Sequence, residues 1–316
     1  MINRELIRTK VVQLVYAYVQ NEDKSLDAAE RELEFSLLKS YELYKFLLSL
    51  LVQVKYTAER REDARLARAS RLGVASDELP IDKYLAENKL LQKMASNKVL
   101  LDYLETEKQE WMEDDALIRN VYKSFTESSI YHEYIHKGDY SIKADRELVR
   151  RLYKEYLLEN ELLESTLEDH SIYWNDDKEV IDHFVIKTLG LFNGESKPDM
   201  PLLSEFAVEE DREFAFQLFR QTIERGEELR GHLRTNCLKW DFDRIALMDK
   251  VIIQTALAEI LTFSDIPLNV SINEYVEIAK NYSTPKSGAF VNGQLDNICK
   301  RLNKERILMK ISMKKK

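Results

Sequence analysis

The chain has 316 residues, enough for one large or two ordinary domains, yet only 8 Gly and 5 Pro. So few breakers predict long helices, and a hydrophobic fraction of 44% excludes disorder. A net charge of -9 excludes capture of nucleic acid by the whole surface, while leaving room for a local basic patch.

In chain order, residues 3–20 predict an amphipathic helix, with Ile7, Val11, Leu14, Val15 and Tyr18 at helical spacing and Asn3 as N-cap. A second helix is predicted from Ser25, with Asp27, Glu30 and Glu34 on its wet face. A third, very apolar one follows through Tyr44, Phe46, Leu47, Leu50 and Leu51. Gly73 to Pro80 reads as a loop, and helices resume over 81–110 and 112–136, ending at Gly138 and Asp139. No sustained period-two pattern calls for a sheet. Residues 145–186 align without a gap on 211–252, an offset of about 66 that pairs Asp145 with Asp211, Leu152 with Leu218 and Trp174 with Trp240. That pattern fits a duplicated helical unit and fits chance helical periodicity equally well. Helices are predicted over 243–263, 270–281 and 289–302, separated by turns at Ser264–Pro267 and at Ser283–Gly288.

Two cysteines, Cys237 and Cys299, supply neither a disulfide framework nor a thiolate cluster, which points to a reducing compartment. The polar start and the lack of a long apolar run give a cytoplasmic expectation with no membrane partner. No phosphate-cradling glycine loop or nucleophile elbow is present, so no cofactor is expected.

One segment carries a catalytic pattern. In HEYIH, His132 and His136 share a helix face and could bind Zn²⁺, with Glu133 as general base. No third histidine follows at short spacing, and the bland alternative is a helix end with two surface histidines beside a Tyr131/Tyr134/Ile135 packing stripe. Positive charge is concentrated at the ends. Arg4, Arg8 and Lys10 stand in the first helix against Glu5, and Lys300 to Lys316 form a basic tail. Guanidinium groups at Arg4 and Arg8 suit phosphate, although ordinary solubility explains them as well. Lys286, Ser287 and Phe290 sit at a helix N-terminus, where an aromatic could stack on an unpaired base or simply pack in the core. Gly293 inside the last helix is costly, and close packing of another helix would account for it.

Asp265, Pro267, Ile272-Asn273-Glu274, Ala279-Lys280, Ser287, Phe290-Val291-Asn292-Gly293 and Leu295-Asp296, preceded by WDFDRIALMDKVIIQTALAEI, resemble the NusB family of transcription antitermination factors. Arg8, Gln13 and Tyr16 resemble that family's first helix. The resemblance implies an all-α fold of helical bundles and no enzymatic activity. It further implies binding of boxA-type single-stranded RNA with the ribosomal protein NusE in the transcription elongation complex, in ribosomal RNA synthesis. By the same resemblance Arg4, Arg8, Lys286, Ser287 and Phe290 become RNA contacts, and Tyr16 and Asp249 lie near the partner protein. Glu5 and Leu6 thin the family's arginine cluster, so Lys10 is added as a further RNA contact. The expected division is 1–39 for the opening NusB-like helices, 40–204 for an inserted helical region, 205–303 for the closing NusB-like domain and 304–316 for the tail. The rival expectations are a zinc hydrolase built on HEYIH and a helical adaptor that has lost RNA binding. A methyltransferase front module is disfavoured, because no cofactor-binding domain follows the closing helices.

Overall fold

The structure is a computed structural model that describes residues 1–21, 25–73, 83–237 and 242–308. Trp240, the loop residues up to Pro80 and the tail lysines Lys310, Lys314, Lys315 and Lys316 lie outside the described residues. In chain order the helices are α1 (Arg4–Gln20), α2 (Leu26–Leu72), α3 (Lys83–Ala86), α4 (Lys89–Ala95), α5 (Lys98–Thr106), α6 (Lys108–Glu113), α7 (Asp115–Thr126) and α8 (Ser129–Lys137). They continue with α9 (Ile142–Tyr156), α10 (Glu161–His170), α11 (Lys178–Leu191), α12 (Glu209–Glu224), α13 (Gly226–Asn236), α14 (Leu247–Thr262), α15 (Leu268–Tyr282) and α16 (Ser287–Lys304). The fold is all-α: among the described residues the β structure is an isolated parallel bridge between Ile2 and Phe206. No helix among them is long and apolar enough to cross a membrane.

The chain divides into two compact units. One, here the terminal unit, comprises Ile2–Leu38 and Phe206–Lys316; the other, the insert unit, comprises Met1 and Lys39–Glu205.

In the terminal unit α14 is the central helix. Every residue from Val251 to Ile260 is buried, as expected of a helix apolar on all sides. Its polar members are bonded inside. Gln254 donates to the Thr222 carbonyl (2.7 Å) and accepts from Arg230 (3.1 Å), and Thr255 donates to the Val251 carbonyl (2.9 Å). Helix α1 packs on α12, α14 and α15, burying Leu6, Ile7, Val11, Val12 and Val15 at roughly 1.5–3 kcal/mol each. Asn3 caps it as its sequence position predicts, accepting from the Leu6 amide (3.0 Å).

The second and third predicted helices are one, with Leu26–Leu38 in the terminal unit and Lys39–Leu72 in the insert unit. Nothing between Ser25 and Leu72 breaks the backbone ladder, so α2 runs through the alternating Arg–Ala–acid segment as well. The two long helices predicted over 81–136 are instead α3 to α8. Asn88, Asn97 and Ser128 turn inward as N-caps, accepting from the amides of Leu91 (3.0 Å), Leu100 (3.3 Å) and Tyr131 (3.1 Å). Phe46 anchors the core, stacked on Trp111 with centroids 4.6 Å apart and tilted against Trp174 at 5.4 Å. The Trp174 indole donates to the Lys39 carbonyl (2.7 Å).

The aligned segments take the same element order. Helices α9, α10 and α11 of one occupy nearly the same offsets as α12, α13 and α14 of the other. Leu152 and Leu218, Leu163 and Leu229, and Leu167 and Leu233 are buried pair by pair.

Candidate nucleic-acid interface

The arginines of α1 meet in the terminal unit over one ring. Their guanidinium carbons lie 4.9 Å (Arg4) and 5.6 Å (Arg8) from the centroid of Phe214, a buried α12 residue. From there they diverge. Arg4 keeps its side chain 35% exposed, donates to Asp211 (3.0 Å) and lies 3.7 Å from Asp265. Arg8 points inward and is 4% exposed. Its Nε and Nη2 donate to the two oxygens of Glu259 (2.8 and 3.2 Å), and Nη1 donates to Glu274 (3.3 Å). The Tyr275 hydroxyl completes the group by donating to Glu259 (3.0 Å). Burial opposes the Arg8 charge, but the hydrogen bond and attraction of Glu259 outweigh it and push its pKa up. Lys10 is buried too. Of the three α1 cations expected to face RNA, the structure therefore leaves Arg4 at the surface. Arg8 and Lys10 lie inside on different sides of α1, which packs on α12, α14 and α15, and Arg8 is drawn in by Glu259.

The turn between α15 and α16 shows the same split. Ser287 is buried; its hydroxyl donates to Asp249 (3.0 Å) and accepts from the Thr284 amide (3.1 Å). Ser283 donates to the other Asp249 oxygen (2.7 Å). Asp249, expected near a partner protein, is thus buried at the start of α14 and occupied in holding this turn. Lys286 is exposed with no salt-bridge partner among the described residues, Phe290 is half-buried, and Tyr16 is half-buried on α1. Arg4 touches Asp265, just before α15 begins, whereas Lys286 follows its end. At about 1.5 Å per residue the helix sets them on the order of 20 Å apart. The exposed candidate RNA contacts therefore fall into two separate sites along α15, with Arg4 flanked by acids.

Gly293 also departs from expectation. A Cβ there would meet nothing within 4 Å, so no neighbouring helix requires the glycine. The close approach is at Gly288, where a Cβ would sit 2.8 Å from Cγ of Lys280. Gly293→Ala is accordingly expected to stabilise the protein by up to about 1 kcal/mol, read as a higher denaturant midpoint. An unchanged or lower midpoint would contradict this.

Sequence reasoning missed Glu259 as a functional position. The signal was available: it is the one acid in the buried run from Val251 to Ile260, and such a carboxylate needs a cation.

The HEYIH segment lies on α8 of the insert unit. His132, Glu133 and His136 are exposed, and Glu133 accepts from Arg151 (3.4 Å). Gly138, at φ 66°, ends the helix in the left-handed conformation. Among the described residues no three His, Cys, Asp or Glu side chains are grouped to hold a metal ion.

Residues 195–300 match the model of the NusB family. The chain is 38% identical over 109 residues to the transcription antitermination protein NusB of Salinibacter ruber, covering 34% of this chain and 68% of that protein. It is 37% identical over 99 residues to the protein of the same name from Chloroherpeton thalassium, covering 31% of this chain and 47% of the relative. Against that from Methylacidiphilum infernorum the identity is 44% over 92 residues, 29% of this chain and 64% of the relative. No solved structure matches the chain.

Proposed function

The chain belongs to the NusB family, and from that premise we propose that it is a transcription antitermination factor that binds single-stranded, boxA-type RNA together with NusE and catalyses no reaction. The observation that carries this reading is the family match over residues 195–300, which spans α12 to α16 and so includes the exposed Lys286 and half-buried Phe290. In this mechanism Lys286 and Arg4 meet phosphates and Phe290 offers a face to an unpaired base. Arg8, Ser287 and Asp249 act indirectly. The first fixes α1 against α14 and α15, and the other two fix the turn that presents Lys286. Half-buried Tyr16 serves the NusE side of α1.

Filter binding of boxA RNA, with and without NusE, tests the proposal. Affinity falls as salt rises, and Lys286→Glu lowers it about tenfold while reducing the slope against log salt by roughly 0.7 for one lost phosphate contact. Absence of binding at low salt in both conditions rejects the proposal.

One observation favours a second reading, a protein adaptor without RNA. The Arg8 charge is taken up by Glu259 and Glu274, and that of Arg4 by Asp211 and Asp265. It predicts capture of NusE with negligible RNA affinity at every salt concentration.

A further inference from the structure

The insert unit carries an aromatic cluster that the RNA reading does not use. Tyr84 on α3 and Tyr140 between α8 and α9 stack with centroids 5.3 Å apart and planes 26° apart. Buried Tyr134 meets Tyr140 edge-on (5.5 Å), and buried Tyr131 meets Tyr84 edge-on (6.4 Å). The floor is held firmly, because the Tyr134 hydroxyl donates to buried Asp145, which also accepts from the Lys89 amide (2.7 Å). Tyr140 remains 39% exposed on top.

Lysines accompany the exposed ring. The Lys89 ammonium donates to the Tyr140 carbonyl (2.8 Å), Lys83 precedes Tyr84, and exposed Lys137 and Lys143 flank Tyr140 in sequence. Lys137 and Lys143 form no salt bridge among the described residues. The nearby acids are Glu87, 3.7 Å from Lys83, Asp139, whose carboxylate accepts from the Ser141 amide (3.0 Å), Glu147, 3.7 Å from Arg150, and buried Asp145 beneath the rings.

A rigid, partly exposed aromatic pair set among lysines matches the two requirements of a stranded polyanion with unpaired bases: a stacking surface and phosphate counter-charge. An acidic protein surface would use the lysines but leave the stacked rings without a role. We propose that Tyr84 and Tyr140, with Lys89, Lys137 and Lys143, form a second contact for single-stranded RNA, in the insert unit. This extends the RNA-binding reading of the terminal unit and rests on it.

The test titrates the full chain with a short labelled single-stranded oligouridine. Tyr140→Ala lowers affinity about tenfold, Tyr140→Phe keeps it, and Lys137→Glu with Lys143→Glu flattens the salt slope by roughly 1 to 1.5. Ultraviolet crosslinking yields an adduct on the peptide containing Tyr140. These side chains are exposed, and an unchanged melting curve confirms that each variant is folded. If all three variants bind as wild type while Lys286→Glu weakens binding, the platform is wrong and the terminal-unit reading stands. If wild type does not bind at low salt, both fall. Loss with Tyr140→Ala but not with Lys286→Glu supports the platform and removes Lys286 as a contact.

Discussion

Replacing Arg8 by methionine destabilises the protein by about 3–5 kcal/mol. The substitution keeps the aliphatic stem but removes the cation bonded to both oxygens of fully buried Glu259, leaving the Tyr275 hydroxyl as its remaining hydrogen-bond partner among the described residues. A carboxylate stranded in a low-dielectric core is costly because water can no longer solvate it. The penalty belongs to the unpaired charge, so it should be relieved by removing the charge. The double variant Arg8→Met with Glu259→Leu recovers most of the loss, since buried ion pairs gain little net energy over well-packed apolar replacements. Denaturant unfolding of the full chain measures both variants, and hydrogen exchange in α1, α14 and α15 assigns the change to the terminal unit. A single variant as destabilised as the double one would show that packing, not charge, is at stake. RNA binding adds a second readout. If Arg8 acts only through the placement of α1, the salt slope is unchanged in whatever binding survives.

Asp182→Ala is expected to cost a similar amount, about 3–5 kcal/mol, in the insert unit. Lys178 is buried at the start of α11, and its ammonium spends its donors on the carbonyls of Leu157 (2.9 Å) and Leu158 (2.7 Å) and on Asp182 (2.9 Å). The Tyr153 hydroxyl, fully buried, donates to the other oxygen of Asp182. Burial raises the Asp182 pKa, against the opposing pull of Lys178 and Tyr153, so the carboxylate is already held at some expense. Truncating it leaves an uncompensated ammonium and an unpaired phenol. Asp182→Asn keeps one acceptor oxygen for the Lys178 ammonium, and its amide N–H can donate to a Tyr153 hydroxyl turned round as acceptor, so it loses less. Equal midpoints for the alanine and asparagine variants would refute the network account. Protection of α9 and α11 amides reports which helices loosen.

The all-α class was readable from scarce glycine and proline together with helical spacing. The Asn3 cap, the Gly138 stop and the α14–α15–α16 succession were readable from local chemistry, because each depends on residues only a few positions apart. Two kinds of feature were not. Three of the helices between Lys83 and Lys137, α4, α5 and α8, begin at asparagine and serine caps, which a search for glycine and proline breaks passes over. The direction of a charged side chain on an amphipathic helix depends on a remote partner. Arg4 and Arg8 share a face of α1, yet Arg8 turns inward because Glu259, 251 positions away, lies beneath it. Ser287 and Asp249 are coupled over 38 positions in the same way. The local pattern thus located the α1 arginines and the α15–α16 turn while giving no account of which of their groups reach solvent.

The continuity of α2 bears on how the inserted region can be removed. The boundary at Leu38 and Lys39 falls inside an unbroken hydrogen-bonded helix rather than in a loop. Excising Lys39–Glu205 would therefore cut the carbonyl-to-amide chain in mid-turn. It would leave the last carbonyls of a Leu26–Leu38 stub without amide donors, and would demand a newly built helix end to satisfy them. A trimmed protein with a glycine-bearing stop after Leu38 should tolerate the deletion better than one joined directly to Phe206.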